Sequence, residues 1–75
     1  MPKLPRITAR QARRAIERDG WSAVNTVGSH EQFKHPSKPG RVTIPKHGNM
    51  TLDPWLVKSI IRQAGLTTDQ FIALL

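Results

Sequence analysis

The stretch WSAVNTVGSHEQFKHPSKPGRVTIP, residues 21–45, holds three short extended runs divided by chain-breaking signals. Gly28-Ser29 separates the first run from the second, and Pro36-Ser37-Lys38-Pro39-Gly40 separates the second from the third. Side chains alternate across a strand, so in the second run, residues 30–35, turning Phe33 toward a core puts Glu31 and His35 on its side. His30, Gln32 and Lys34 then share the other face. The third run, 41–45, alternates more cleanly, with Val42 and Ile44 pointing in and Arg41 and Thr43 out. In the first run, 21–26, Trp21, Ala23 and Val24 do not share a parity, which predicts a bulge or a late strand start.

Helical signals flank this stretch on both sides. Thr8 followed by Gln11 is a capping-box pattern, and the Gly- and Pro-free segment 9–19 that it opens stops at Gly20. Ala9, Ala12, Ala15 and Ile16 fall on one side of this helix, while Arg10, Arg13, Arg14 and Arg18 gather mostly on the rest of its surface. After the third strand, residues 46–51 read as a polar loop, and Asp53-Pro54 supplies an N-cap followed by the residue best suited to the first helical position. Val57, Ile60, Ile61 and Ala64 make the apolar stripe of that second helix, which Gly65 ends. Thr67 with Gln70 predicts a short terminal helix over 68–75 that covers the core with Phe71 and Leu74.

The expected fold is therefore α+β, in the order α-β-β-β-α with a short extra C-terminal helix. Two amphipathic helices must bury their stripes, so both pack on one face of a three-stranded antiparallel sheet and leave the other face open. Residues 1–7, with Pro2 and Pro5 among basic residues, read as a lead-in, and 8–75 as one domain. A chain of 75 residues leaves no room for a second.

Composition narrows the class of function. Lys and Arg number 12 against 5 acids, a net charge of +7, which points to a polyanionic partner. Residues 1–18 alone hold Lys3, Arg6, Arg10, Arg13, Arg14 and Arg18 against Glu17. Such a field attracts nucleic-acid phosphates, or an acidic protein, without specifying sequence. With no cysteine the chain has no disulfides, thiolate nucleophile or Cys-based zinc site, and a cytoplasmic location is expected. No run approaches the roughly 20 apolar residues of a membrane helix, and the N-terminus lacks the apolar core of a signal peptide.

Gly28-Ser29-His30 is the most pointed chemical feature, since Gly and Ser let a ligand backbone approach and His exchanges a proton near neutral pH. The plainer alternative is a turn followed by a surface histidine. Lys34 on the same face and Arg41 on the next strand add the cations that a phosphodiester site needs. His35 points away from His30 and reads as structural or solvent-exposed; His47, just past the third strand, either reaches the open face or caps its loop. No metal site is expected, because His30 and His35 face opposite ways and no cluster of carboxylates completes a shell. Glu17, Asp19, Glu31, Asp53 and Asp69 are scattered, with a capping role ready for Asp53, and Ser29 beside His30 lacks an orienting acid for hydrolase chemistry. Trp21 and Trp55 are expected in or beside the core before any stacking on bases.

The basic first helix ending in Asp19-Gly20-Trp21, Gly28-Ser29-His30 opening a strand, Val42-Thr43-Ile44-Pro45-Lys46-His47, and Ile60-Ile61-Arg62-Gln63-Ala64-Gly65-Leu66, in that order, resemble the HicA family. These are the small toxins of HicA/HicB toxin-antitoxin pairs, mRNA interferases with a double-stranded-RNA-binding-like fold. One departure precedes the second helix, where relatives commonly carry a Gly-Thr-Leu-like sequence and this chain has Leu52-Asp53-Pro54-Trp55-Leu56.

The resemblance implies that His30 is catalytic and that a HicB-like antitoxin binds and silences the protein. It implies a type II toxin that is an endoribonuclease on mRNA, and the lack of metal ligands in the sequence makes metal-independent cleavage without cofactor the expectation. On the residues themselves, His30 is expected to serve as general base or acid, and Gly28, Ser29, Lys34, Arg41, Lys46 and His47 are expected to contact RNA. The donor of a proton to the leaving group stays open between His47, a lysine and water. A non-catalytic RNA-binding module of the same fold is the alternative, an interaction protein for an acidic partner a third; when free, a monomer or weak dimer is expected.

Overall fold

In the computed structural model, which describes residues 4–75, α1 (Ala9–Arg18) begins at Thr8, whose Oγ1 accepts from the Gln11 amide at 3.2 Å while Gln11 Oε1 accepts from the Thr8 amide at 2.9 Å. This capping box satisfies donors that the first helical turn cannot. Ala9, Ala12, Ala15 and Ile16 are buried, as their helical spacing requires. Pro2 and Lys3 of the lead-in lie outside the described residues. Ile7, at the end of the lead-in, is 1% exposed; its carbonyl accepts from the Leu52 amide at 2.8 Å, and Thr8 bridges Thr51.

The three strands, β1 (Ser22–Val27), β2 (His30–Lys34) and β3 (Val42–Pro45), form an antiparallel sheet in the order β1-β2-β3. Gly28 (φ +60°) and Ser29 make the two-residue hairpin loop. No residue other than glycine has a positive φ among those described, so the turn has the type II′ pattern, which wants Gly at its first central position. The register slips between Ala23 and Asn25. That bulge accounts for the mixed parity of the first run. The strands start one residue later or end one residue earlier than 21, 35 and 41 imply.

α2 (Pro54–Gln63) and α3 (Thr68–Ala73) complete the order α-β-β-β-α-α. Trp21, Phe33, Val42, Ile44, Val57, Ile60 and Phe71 join the buried face of α1 in one core. α1 and α2 pack over β3, and every residue of β1 stays exposed. On the outer edge of β3 the Thr43 amide is paired, donating to Gln63 Oε1 at 2.9 Å. α3 is tied back by its own Thr67–Gln70 capping box and by Arg18 Nη1 donating to the Leu74 carbonyl at 2.6 Å.

Two expectations need correction here. Asp53 occupies the N-cap position of α2 but its side chain makes no capping hydrogen bond; Pro54 at the start of the helix removes one of the amides that would need a cap. Trp55 is 68% exposed, not part of the core. It sits two residues before Val57, about 200° around the helix from the buried stripe. Trp21, at 2% exposure, is buried as expected.

Candidate nucleic-acid interface and active site

The sheet face turned away from the helices carries three rows of side chains. His30, Gln32 and Lys34 form the middle row by the two-residue period of β2. Directly opposite, Val27, Asn25 and Ser22 belong to β1, and Pro45 and Thr43 to β3. His30 itself is exposed, at the hairpin end of the sheet. Arg41, just before β3, donates from Nη1 to Gln32 Oε1 at 2.6 Å, so Gln32 draws a guanidinium toward the middle of this face. Lys34 lies four residues from His30, about 13 Å along the strand between α-carbons, with Arg41 across from it by the same register.

The remaining expected contacts lie elsewhere. Gly28 and Ser29 form the turn; a Cβ on Gly28 would meet no atom within 4 Å, so its φ of +60°, rather than crowding, calls for glycine. The Lys46 amide donates to the Ser29 carbonyl at 2.7 Å, continuing the β2–β3 ladder one step past His30 and Pro45. Alternation then turns Lys46 to the helix side. There it lines a cleft of about 190 Å³ with Ala9, Arg10, Arg13, Glu31, Ile44, Pro45 and Gly48. His47 is exposed in the following loop, where its carbonyl accepts from the Met50 amide at 3.0 Å. The sequence brought out His30, Lys34 and Arg41 as one group, and they do share a face; it put Gln32 there too but not its hold on Arg41, nor the grouping of Lys46 with Arg10 and Arg13.

His35 belongs to a structural joint. Its Nδ1 accepts from the amides of Ser37 at 3.0 Å and Lys38 at 3.2 Å, so the proton is on Nε2, which donates to the Asp19 carbonyl at 2.7 Å. The ring also meets Trp21 edge-on, with centroids 5.3 Å apart. Asp19 Oδ2 accepts from Trp21 Nε1 at 3.1 Å and from Lys38 Nζ at 2.6 Å, and the same ammonium donates to the Ala64 carbonyl at 3.2 Å. The end of α1, the loop after β2 and the end of α2 are thereby fastened together.

A small, strongly basic α+β domain with a histidine on an uncovered sheet face is the class that fold and site define. Residues 9–66 match the family model described as HicA toxin of bacterial toxin-antitoxin, and the chain belongs to that family. It is thus the toxin of a toxin-antitoxin pair and has a cognate antitoxin as its partner. No curated protein matches the chain. Among the described residues no helix is long and apolar enough to cross a membrane.

Proposed function

We propose that this toxin is a metal-independent endoribonuclease that cleaves mRNA in the cytoplasm, with His30 as the catalytic residue and a HicB-like antitoxin as its silencer. The observation that supports this most is that an exposed His30 shares with a Gln32-held Arg41 the sheet face that the helices leave free. Neutral His30 removes the proton from a ribose 2′-OH, and that oxygen attacks the adjacent phosphorus. The 5′-oxygen leaves with a proton, giving a 2′,3′-cyclic phosphate and a 5′-OH. Arg41 stabilises charge growing on the phosphoryl oxygens, while Lys34, farther along β2, contacts a neighbouring phosphate. DNA lacks the 2′-OH and is spared.

The test is cleavage of a 5′-labelled single-stranded RNA by the wild type and by His30→Ala, both in excess EDTA, with product ends identified. Cleavage to cyclic phosphate should fall by about 10²–10⁴-fold in the variant while RNA stays bound. Loss of cleavage in EDTA, or 5′-phosphate products, would refute the scheme. RNA bound equally by both proteins and cut by neither would favour a binding module instead.

A further inference from the structure

The cleft beneath the first turn of α1 gathers cations that the chemistry at His30 leaves unused. Of the charged groups lining it, Glu31 already faces Arg13, whose Nη1 lies 3.2 Å from Glu31 Oε1. Arg10 and Lys46 have no carboxylate within 4.0 Å among the described residues. Their positions are built. The Arg10 amide donates to the Gly48 carbonyl at 3.1 Å and the Ala9 amide to the Met50 carbonyl at 2.9 Å, which fastens the loop to the helix. Both of those helix-start amides are therefore spent, and the cleft's pull on an anion comes from side chains. The Arg10 guanidinium lies along Gly48, where a Cβ would sit 3.3 Å from Nη2, so the missing side chain gives it room. Two unpaired cations and a third that balances Glu31 leave the cleft electropositive over a floor that includes Ala9 and Ile44, each 2% exposed. An anion with several oxygens suits it.

Placement decides which anion. Pro45 lines the cleft and also stands opposite His30 across the β2–β3 ladder, and Glu31 points into the cleft from the residue after His30. The cleft and His30 thus occupy opposite faces of the same end of the sheet. We propose that the cleft is a phosphate subsite for single-stranded RNA. It holds a backbone phosphate other than the one attacked, and the strand between them turns around the sheet end at Ser29 and Lys46. Duplex nucleic acid is too stiff for so tight a turn, so the subsite selects single strands. This inference rests on RNA being the substrate.

The test measures binding rather than cleavage. In a His30→Ala background, affinity is measured for a short single-stranded RNA and for a series in which each phosphate in turn is a neutral methylphosphonate. Arg10→Gln/Lys46→Gln should weaken binding by about tenfold and make the slope of log affinity against log salt shallower by about 0.7. One neutral linkage should weaken the parent but no longer matter to this variant. Arg14→Gln/Lys58→Gln, which removes the same charge outside the cleft, should keep that positional effect; circular dichroism confirms that each variant is folded. Unchanged affinity in the cleft variant, or a positional effect that survives in it, overturns the subsite alone. RNA that the parent does not bind overturns the ribonuclease reading as well.

Discussion

Gly20→Ala acts on the joint between α1 and the sheet where it is tightest. Gly20 has φ +106°, a conformation that costs an L-residue about 1–2 kcal/mol. A Cβ there would also lie 2.7 Å from His35 Nε2, the atom that donates to the Asp19 carbonyl. The ring cannot retreat freely, because Nδ1 is held by the Ser37 and Lys38 amides and the ring packs in a T-shaped contact with Trp21. Moving it gives up at least one hydrogen bond, about 1 kcal/mol, and more if the acceptor carbonyl is left unsatisfied. The substitution should therefore destabilise by about 2–4 kcal/mol, a large part of the stability of so small a domain. Urea unfolding followed by far-ultraviolet circular dichroism reads this directly, and the melting temperature should fall by roughly 10–30 °C. The two causes separate in a His35→Ala background, where the collision is gone and Gly20→Ala should cost only its backbone share. A coupling of about 1–2 kcal/mol is expected from that cycle. Equal costs in both backgrounds, or a cost below about 0.5 kcal/mol in the wild type, would refute the steric account.

Two smaller perturbations probe how the helices are held. Thr67→Ala removes the acceptor for the Gln70 amide and should cost about 1 kcal/mol, seen as faster hydrogen exchange at Phe71, whose amide donates to the Thr67 carbonyl. Exchange at Phe71 equal to that of the wild type would show that packing alone fixes α3. Gln63→Ala uncovers the Thr43 amide on the edge of β3 and should cost about 0.5–1.5 kcal/mol in urea unfolding, with exchange at Thr43 rising most. Faster exchange at β1 but not at Thr43 would mean that Gln63 does not guard that edge.

Most of the fold is legible because its signals are local. The Thr8–Gln11 and Thr67–Gln70 boxes mark helix starts, and the period of two across 30–35 and 41–45 separates the buried Phe33, Val42 and Ile44 from the exposed His30 and Lys34. The failures came where one local rule met another. Trp55 reads as core by residue type, yet its angle from Val57 turns it outward, and the helical period outweighs bulk. Asp53 reads as a cap by type, but the Leu56 amide that its carboxylate would accept from donates to the Asp53 backbone carbonyl at 2.9 Å instead. At the candidate site, parity found the face of His30, Lys34 and Arg41. The Arg41–Gln32 contact depends on side-chain reach between strands, which no spacing encodes. Lys46 could have been placed by extending the alternation of Ile44 and Pro45 one residue further, and treating 46 as loop hid its turn toward Arg10.

One face of the sheet is packed against the helices and the other is open, and this gives the His30 experiment its meaning. Phe33, Val42 and Ile44 face the helices at 2% exposure or less, so truncating Phe33 should cost about 3–5 kcal/mol and threaten the fold. His30, Gln32 and Lys34 alternate with those residues on β2, but their side chains look into solvent or are only partly covered. A surface substitution of that kind usually changes stability by less than about 0.5 kcal/mol. If His30→Ala lost cleavage while keeping its unfolding curve, the loss would belong to chemistry and not to folding. Arg41 offers the complementary measurement through Gln32, which positions it without needing to touch RNA itself. Gln32→Ala should then lower turnover less than Arg41→Ala, and it should lose nothing further once Arg41 is gone. Additive losses in the double variant would mean that Gln32 acts on the substrate directly.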